Sequence, residues 1–128
     1  MSAQRILVVD DDSRFLRFVT ELLIGAAYDV RGTEDPLIAA SLAEEFSPHL
    51  MILDLSMPGK DGAALARELG ASAKTSGIPV MFLTARRASE GMESVKDSGA
   101  VAYVEKPVQS SKLLWMIKAL LAGGAKTS

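Results

Sequence analysis

Five polar residues stand close behind short apolar runs of the kind that form buried strands. Asp10 and Asp11 follow the first run, Asp54 the third and Thr84 the fourth, and Lys106 lies two residues after the fifth. If these runs are parallel strands of one sheet, their carboxyl ends lie along the edge where open α/β sheets bind ligands. Carboxylates, a hydroxyl and an amine are therefore expected to share one site.

The carboxylates predict a cation site. Asp10, Asp11 and Asp54 would repel one another on converging, so a counter-charge is needed among them. The chain has no cysteine, and its one histidine, His49, precedes the third run and so lies at the opposite end of that run from Asp54. A hard cation held by oxygen atoms, Mg²⁺ with retained waters, is therefore the natural partner. A single acid behind a strand more often caps a helix, and Asp12 or Ser13 is expected to do only that.

Lys106 and Thr84 extend this site toward phosphate chemistry. A surface lysine is usually solvated, but Lys106 is held by the following Pro107 and would face the acids. Its ammonium group would neutralise a carboxylate or a phosphoryl group placed on one, and the Thr84 hydroxyl could donate to a phosphoryl oxygen. Asp54 would then be the nucleophile that forms an acyl phosphate, with Mg²⁺ and Lys106 stabilising the transferred charge.

The elements that must position these residues alternate between strand and helix. Runs of four or five apolar residues, rich in Val, Ile and Leu, are typical of strands buried on both faces. They are Arg5–Val9, Tyr28–Arg31, Leu50–Leu53, Pro79–Leu83 and Val101–Val104. The stretches between and after them have helical spacing, so the sequence predicts a parallel sheet with helices on both faces, a three-layer doubly wound (βα)5 domain of the α/β class.

Two of the helices have particular features. Asp35 and Pro36 predict the start of the second helix, because Asp can cap and Pro is tolerated at the first helical position. The fourth helix, residues 86–97, has few apolar positions and contains Gly91. It is therefore expected to be the least firmly packed, since glycine within a helix costs about 1 kcal/mol relative to alanine.

Composition limits the class of protein. The chain has 128 residues, of which 48% are hydrophobic and 23% charged, and its formal net charge is −2. This predicts one globular domain, residues 5–121 with a short flexible tail at 122–128, and argues against a protein that coats nucleic acid. No apolar run approaches the roughly 20 residues that span a bilayer, and the N-terminus is unlike a signal peptide. A cytoplasmic domain without membrane contact is expected.

Four motifs in order resemble the receiver domain of two-component response regulators, the CheY-like family. The first is the acid pair Asp10-Asp11, and the second is the stretch around Asp54, Leu53-Asp54-Leu55-Ser56-Met57-Pro58-Gly59-Lys60-Asp61-Gly62. The others are Leu83-Thr84-Ala85 and Lys106-Pro107. The resemblance covers residues 5–121 and implies the flavodoxin-like strand order 2-1-3-4-5.

The resemblance also implies a role for each site residue. Asp54 would accept a phosphoryl group from a histidine kinase or a histidine phosphotransfer protein. Asp11, Asp54 and the main-chain carbonyl of Ser56 would bind Mg²⁺ directly, with Asp10 acting mainly through water. Thr84 and Lys106 would hold the phosphoryl group.

A signalling switch is implied as well. Tyr103 would turn inward as Thr84 moves toward the phosphoryl group, and the surface of the fourth helix, fifth strand and fifth helix would change to bind an unknown downstream protein. No direct binding of nucleic acid is expected. The protein would be a monomer or weak dimer, catalysing only its own phosphorylation and dephosphorylation, and either a stand-alone regulator or a receiver cut from a longer protein.

Three alternative functions are considered. A phosphatase of the haloacid dehalogenase type needs a second Asp two residues after the nucleophile, where this chain has Ser56. A flavin or dinucleotide protein is disfavoured because no G-x-G-x-x-G follows the first strand and the acids there would repel phosphate. A receiver-like interaction or phosphorelay-shuttle module, without a phosphorylation-driven output of its own, stays open.

Overall fold

The computed structural model describes residues 3–123, in which five strands and five helices alternate. The strands are β1 (Arg5–Val9), β2 (Asp29–Thr33), β3 (Leu50–Leu53), β4 (Val80–Thr84) and β5 (Ala102–Glu105). The helices are α1 (Ser13–Gly25), α2 (Ala39–Phe46), α3 (Gly62–Ala71), α4 (Ala88–Val95) and α5 (Ser110–Leu121). Residues 124–128 of the predicted tail lie outside this range. No helix between residues 3 and 123 is long and apolar enough to cross a membrane.

All five strands form one parallel sheet in the order β2-β1-β3-β4-β5. This confirms both the α/β class and the order that the resemblance implied. Every residue of β3 and β4 is buried, as expected for central strands covered on both faces. The order places β1 beside β3, so that the acids behind these two strands lie at the same edge.

Two apolar clusters fill the space on either side of the sheet. One contains residues of α2 and α3, with Val95 of α4 packed against it. The other contains residues of α1 and α5. The sheet is therefore the middle of three layers, as the alternation of strands and helices predicted.

The bounds of β1 and β3 are those predicted, and the bounds of β2, β4 and β5 differ from the prediction by one or two residues. β4 begins at Val80 because Pro79 has no N–H to donate to a neighbouring strand, although its carbonyl accepts from the Met51 amide. The strand continues through Thr84, which pairs with Glu105 at the end of β5. Thr84 and Glu105, which were expected to follow β4 and β5, are thus the last residues of these strands.

The predicted start of α2 at Asp35 and Pro36 is wrong, because the helix begins at Ala39. The Asp35 carboxylate accepts from the Leu37 amide at 2.9 Å. The next two amides, those of Ile38 and Ala39, donate to the carbonyl groups three residues earlier in the chain. These bonds close a tighter turn than an α-helix, so the Asp35 side chain caps this turn and the helix follows it.

α4 is shorter than predicted, spanning eight residues from Ala88 to Val95. Arg87 before it is extended, and Asp97 after it has a φ of 63° in the left-handed region. Gly91 is the one buried residue of this fully described helix. The other four helices each have at least two buried residues, which agrees with the expectation that α4 is the least firmly packed.

Candidate functional site

The three acids predicted to bind a cation do converge. Val9 of β1 pairs with Leu53 of β3, so Asp10 and Asp54 leave neighbouring strands side by side. One carboxylate oxygen from each of Asp10, Asp11 and Asp54 lies within 4.8 Å of the others. Asp10 and Asp54 are buried, whereas Asp11 faces solvent. An all-oxygen cluster that is open on one side suits a hard divalent cation that keeps some of its water.

Asp12 has the capping role expected of it. Its Oδ1 accepts from the amides of Arg14 and Phe15 at 3.1 and 3.3 Å, which fixes the first turn of α1. Its own amide donates to Asp10 Oδ1 at 2.9 Å. The cap therefore joins the start of α1 to the buried acid.

Lys106 lies inside the acid cluster. Its Nζ is 2.8 Å from Asp10 Oδ2 and 3.9 Å from Asp54 Oδ2. The Lys106 side chain is 13% exposed and that of Asp10 is 3% exposed, so this pair is shielded from solvent. The Lys106–Pro107 peptide bond is cis. The predicted meeting of the strand-end lysine with the strand-end acids is thus present in the structure.

Opposing influences act on the Asp10 carboxyl group. Burial is the largest and raises the pKa of Asp10 above its ordinary value, while the hydrogen bond from Lys106 lowers it and the negative charge of Asp54 raises it further. The net direction is upward. Apart from this shift, the cluster brings three carboxyl groups to the one ammonium group of Lys106, so a bound cation would offset charge that Lys106 leaves.

Phe15 contacts the same lysine, which the sequence did not reveal. The Lys106 Nζ lies 3.9 Å from the centroid of the Phe15 ring. In the sequence, the helical spacing of Phe15 with Val19 and Leu22 indicates only that Phe15 lies on the apolar face of α1. The meeting of an ammonium group with an aromatic face depends on side-chain orientations in two elements 91 positions apart in the chain, and no local motif encodes it.

Backbone contacts fix the position of Asp54. Its amide donates to the Val9 carbonyl at 2.9 Å, and the Gly62 amide donates to the Leu55 carbonyl at 2.8 Å. A Cβ atom on Gly62 would lie 2.2 Å from the Asp54 carbonyl oxygen and 2.9 Å from Phe82. The start of α3 can therefore press against the Asp54 backbone only because residue 62 has no side chain.

Ser56 follows closely behind Asp54. Its amide donates to Asp54 Oδ1 at 3.4 Å, and its side chain is exposed. The chain thus turns back toward the carboxylate at Ser56. The role of the Ser56 carbonyl as a metal ligand stays a prediction.

Thr84 is buried at the end of β4. Its Oγ1 accepts from the Arg86 amide at 3.3 Å. Within residues 3–123 no hydrogen bond joins Thr84 to Asp54, so its predicted contact with a phosphoryl group stays a prediction. Thr84 is nevertheless tied to the loop that leads into α4.

Tyr103 reaches the same loop from β5. Its hydroxyl donates to the Arg86 carbonyl at 2.7 Å, and its ring lies 6.4 Å from that of Phe82. Burial raises the pKa of the Tyr103 hydroxyl. A Cβ atom on Gly91 would lie 2.1 Å from this hydroxyl and 2.9 Å from Leu55. The glycine that weakens α4 as a helix therefore makes room for the Tyr103 side chain.

This packing predicts an unusual response to Gly91→Ala. Alanine favours the helix by about 1 kcal/mol, yet we expect the substitution to lower the free energy of unfolding by about 1 kcal/mol, because overpacking outweighs propensity. In a Tyr103→Phe background the closest clash is gone while the contacts with Leu55 and with the ring carbon Cζ remain, so the same substitution should lower the free energy of unfolding by clearly less. Urea unfolding of the four proteins measures the difference. Equal effects in both backgrounds would mean that Tyr103 does not occupy this space.

Two further side chains bind the ends of α4, and neither was singled out from the sequence for this role. Glu105 Oε2 accepts from the Ala88 amide at 3.0 Å, at the start of the helix. Arg67 of α3 donates to the Ser94 and Lys96 carbonyls at 2.7 and 3.1 Å, at its end. α4 is thus held from β5 and from α3.

Comparison with known proteins gives a consistent result. The family model described as response regulator receiver domain matches residues 6–118. The DNA-binding response regulator MtrA of Mycolicibacterium paratuberculosis is 36% identical over 92% of this chain, which spans 51% of that protein. Protein PilH of Pseudomonas aeruginosa is 34% identical over 93% of this chain and 98% of its own length.

A solved structure agrees with these sequence matches. The CheY-like response regulator receiver domain protein of Methanospirillum hungatei has a TM-score of 0.89 and 27% identity, covering 99% of this chain and all of its own. The chain spans about half the length of the curated relatives that include MtrA. Activities that those longer proteins have through the half that this chain does not match are not attributed to this chain.

Proposed function

This chain belongs to the response regulator receiver domain family of two-component signalling, and from that premise we propose that it is a phosphorylation-dependent switch whose phosphate acceptor is Asp54. The observation that supports this most is the placement of the Lys106 ammonium between Asp10 and Asp54, 2.8 and 3.9 Å from their oxygens. A fixed cation beside a buried carboxylate is what acceptance of a phosphoryl group on that carboxylate requires.

The reaction is a transfer between a phosphohistidine and a carboxylate. An Asp54 carboxylate oxygen bonds to phosphorus while the bond from phosphorus to the histidine nitrogen breaks, and the electron pair of that bond leaves with the imidazole. The product is an acyl phosphate. Lys106 holds its charge next to the oxygens that gain negative charge, and Asp10 keeps Lys106 in place through the short ion pair. The donor would be a histidine kinase or a histidine phosphotransfer protein.

The acid cluster fits Mg²⁺ by its donor set, which consists of carboxylate oxygens within 4.8 Å of one another. Asp10, Asp11 and Asp54, with the Ser56 carbonyl, would hold the ion. Bound there, it would neutralise charge on the phosphoryl oxygens during transfer. The residues themselves bring the oxygens together and leave Asp11 open to solvent, so an incoming donor can reach the site.

The output of the switch is proposed to pass through the loop before α4. Thr84 and Tyr103 both bond to Arg86, one to its amide and the other to its carbonyl. A hydrogen bond donated by the Thr84 hydroxyl to a phosphoryl group on Asp54 would draw Oγ1 toward that group and away from the Arg86 amide that it accepts from, and so shift the residue that Tyr103 holds. The surface formed by α4, β5 and α5 would then change and bind a downstream protein.

We further propose that the protein is cytoplasmic and that it acts through protein contacts as a monomer or weak dimer, without binding nucleic acid through these residues.

The test is phosphorylation by a small donor. The protein is incubated with acetyl phosphate or phosphoramidate, with Mg²⁺ or with a chelator, and its intact mass is recorded. We expect one added phosphoryl group that depends on Mg²⁺, that hydroxylamine removes, and that is missing in Asp54→Asn. An unmodified mass with both donors, together with no detectable Mg²⁺ binding, would refute the switch and favour a constitutive interaction module. An adduct without any change at α4, β5 or α5 would favour a phosphorelay shuttle.

A second prediction concerns Mg²⁺ alone. Because the ion would bind the folded acid cluster only, a concentration ten times its dissociation constant should raise the free energy of unfolding by about 1.4 kcal/mol. Trp115 on α5 is 70% exposed, so its fluorescence should change little, and thermal unfolding followed by circular dichroism is the better measurement.

Two variants make the Mg²⁺ measurement specific to the site. Asp11→Asn should require more Mg²⁺ for the same rise in melting temperature. Asp29→Asn, at an exposed acid at the start of β2, should behave as wild type. A rise of equal size in all three proteins would mean that the ion acts elsewhere.

A further inference from the structure

We propose that Phe15 is a positioning residue for phosphoryl transfer, holding the Lys106 ammonium against its ring so that it stays beside Asp54. The inference rests on the proposed function and adds to it an aromatic residue from α1. It is carried by the distance of 3.9 Å between the Lys106 Nζ and the Phe15 ring centroid. An ammonium group at this distance from an aromatic face is attracted by the negative charge density of the ring.

The surroundings of the ammonium group explain what the ring contributes. On one side Asp10 Oδ2 accepts a hydrogen bond from Nζ at 2.8 Å, and Asp54 Oδ2 lies at 3.9 Å. The Phe15 ring also contacts the group, and the Lys106 side chain is only 13% exposed. A lysine side chain has a flexible stem of four carbons, so its ammonium group would otherwise sample many positions. Carboxylates and ring together limit it to the neighbourhood of Asp54.

The ring is itself held in place. The Phe15 amide donates to the Asp12 carboxylate at 3.3 Å, so the cap of α1 fixes the backbone from which the ring projects. A positioned ring costs no reorganisation when the reaction occurs, and this is how positioning lowers a barrier.

The reaction used for the test is transfer from acetyl phosphate. An Asp54 oxygen bonds to phosphorus, the bond from phosphorus to the acetyl oxygen breaks, and acetate leaves with that electron pair. Negative charge shifts among the phosphoryl oxygens during this step, within reach of Lys106. A loss of Lys106 positioning should therefore lower the rate of transfer and leave the Mg²⁺ affinity nearly unchanged.

The chain supplies a matched control for the substitution. Phe18 is on the same helix and is 43% exposed, and within residues 3–123 the Lys106 ammonium lies over the ring of Phe15 and not over that of Phe18. We expect Phe15→Leu to lower the rate of phosphorylation about fivefold, equivalent to about 1 kcal/mol. Phe18→Leu should leave the rate unchanged. Phe15→Trp, whose ring attracts cations more strongly, should keep most of the wild-type rate.

Fluorination separates the electrostatic role of the ring from its packing. Trifluorophenylalanine at position 15 keeps the aromatic shape while withdrawing electron density from the face, so a packing role predicts no change in rate. We expect a rate close to that of Phe15→Leu. The same amino acid at position 18 should have no effect. A wild-type rate with the fluorinated ring at position 15 would overturn the proposal.

A measurement without phosphate distinguishes failure of this inference from failure of the proposed function. A ring face over the Lys106 ammonium should shift the Lys106 Cε protons upfield in the NMR spectrum. Phe15→Leu should abolish the shift and Phe18→Leu should keep it. If wild type has no such shift, the inference fails whether or not Asp54 accepts phosphate. If the shift is present but no protein is phosphorylated, the proposed function fails and the contact stands as a structural one.

Discussion

Replacing Lys106 with methionine is expected to slow phosphorylation of Asp54 by acetyl phosphate about a hundredfold, the usual effect of removing one preorganised charge from a transfer site. Methionine keeps most of the side-chain volume but removes the ammonium group between Asp10 and Asp54. The rate is measured by intact mass at saturating Mg²⁺. Lys118→Met, at an exposed lysine of α5, is the control and should react as wild type.

The same substitution is expected to destabilise the fold when Mg²⁺ is absent. Asp10 is 2% exposed, and breaking a buried ion pair by removing one partner costs about 3 kcal/mol or more. Added Mg²⁺ should recover part of this loss in Lys106→Met, because it supplies the missing positive charge. A variant that reacts at the wild-type rate and unfolds at the same urea concentration would mean that Lys106 stabilises neither the acids nor the transferred group.

Gly62→Ala is expected to cost about 3 kcal/mol of unfolding free energy, at the upper end for overpacking. The added Cβ would lie 2.2 Å from the Asp54 carbonyl oxygen. Neither side can yield easily, because Gly62 donates to Leu55 and Asp54 donates to Val9. The shift should also displace the Asp54 carboxylate and slow its phosphorylation.

The control for this substitution lies in the same helix. A Cβ atom on Gly70 would meet nothing within 4 Å, so Gly70→Ala should stabilise the protein by up to about 1 kcal/mol through helix propensity. Urea unfolding of both variants measures the two changes in the free energy of unfolding. Similar stability of Gly62→Ala and wild type would contradict the close approach of α3 to Asp54.

The positions of Asp10, Asp54 and Lys106 could be predicted because they depend on strand ends. Buried strands are visible as apolar runs, and parallel strands bring their carboxyl ends to one edge. The strand order itself came from the resemblance, since β1 and β3 are neighbours in the sheet but not in the sequence. The distances between the Lys106 ammonium group and the carboxylates come from the structure.

Other features could not be predicted because they depend on side chains from distant elements. By sequence, Gly91 only weakens α4, whereas in the structure the Tyr103 hydroxyl occupies the space beside it. The predicted start of α2 is too early because Asp35 caps a turn as readily as a helix. The contact between Phe15 and Lys106 arises from rotamers that no pattern of residue types determines.

The bonds at the two ends of α4 have a consequence for how the protein responds to its solution. A carboxylate, Glu105, meets the positive end of the helix dipole, and a guanidinium, Arg67, meets the negative end. Both side chains are exposed, so dissolved ions screen these attractions over about 8 Å at physiological ionic strength. The sheet, by contrast, is held by backbone bonds and buried apolar contacts that salt hardly weakens. High ionic strength would therefore loosen α4 while leaving the acid cluster at the edge of the sheet intact.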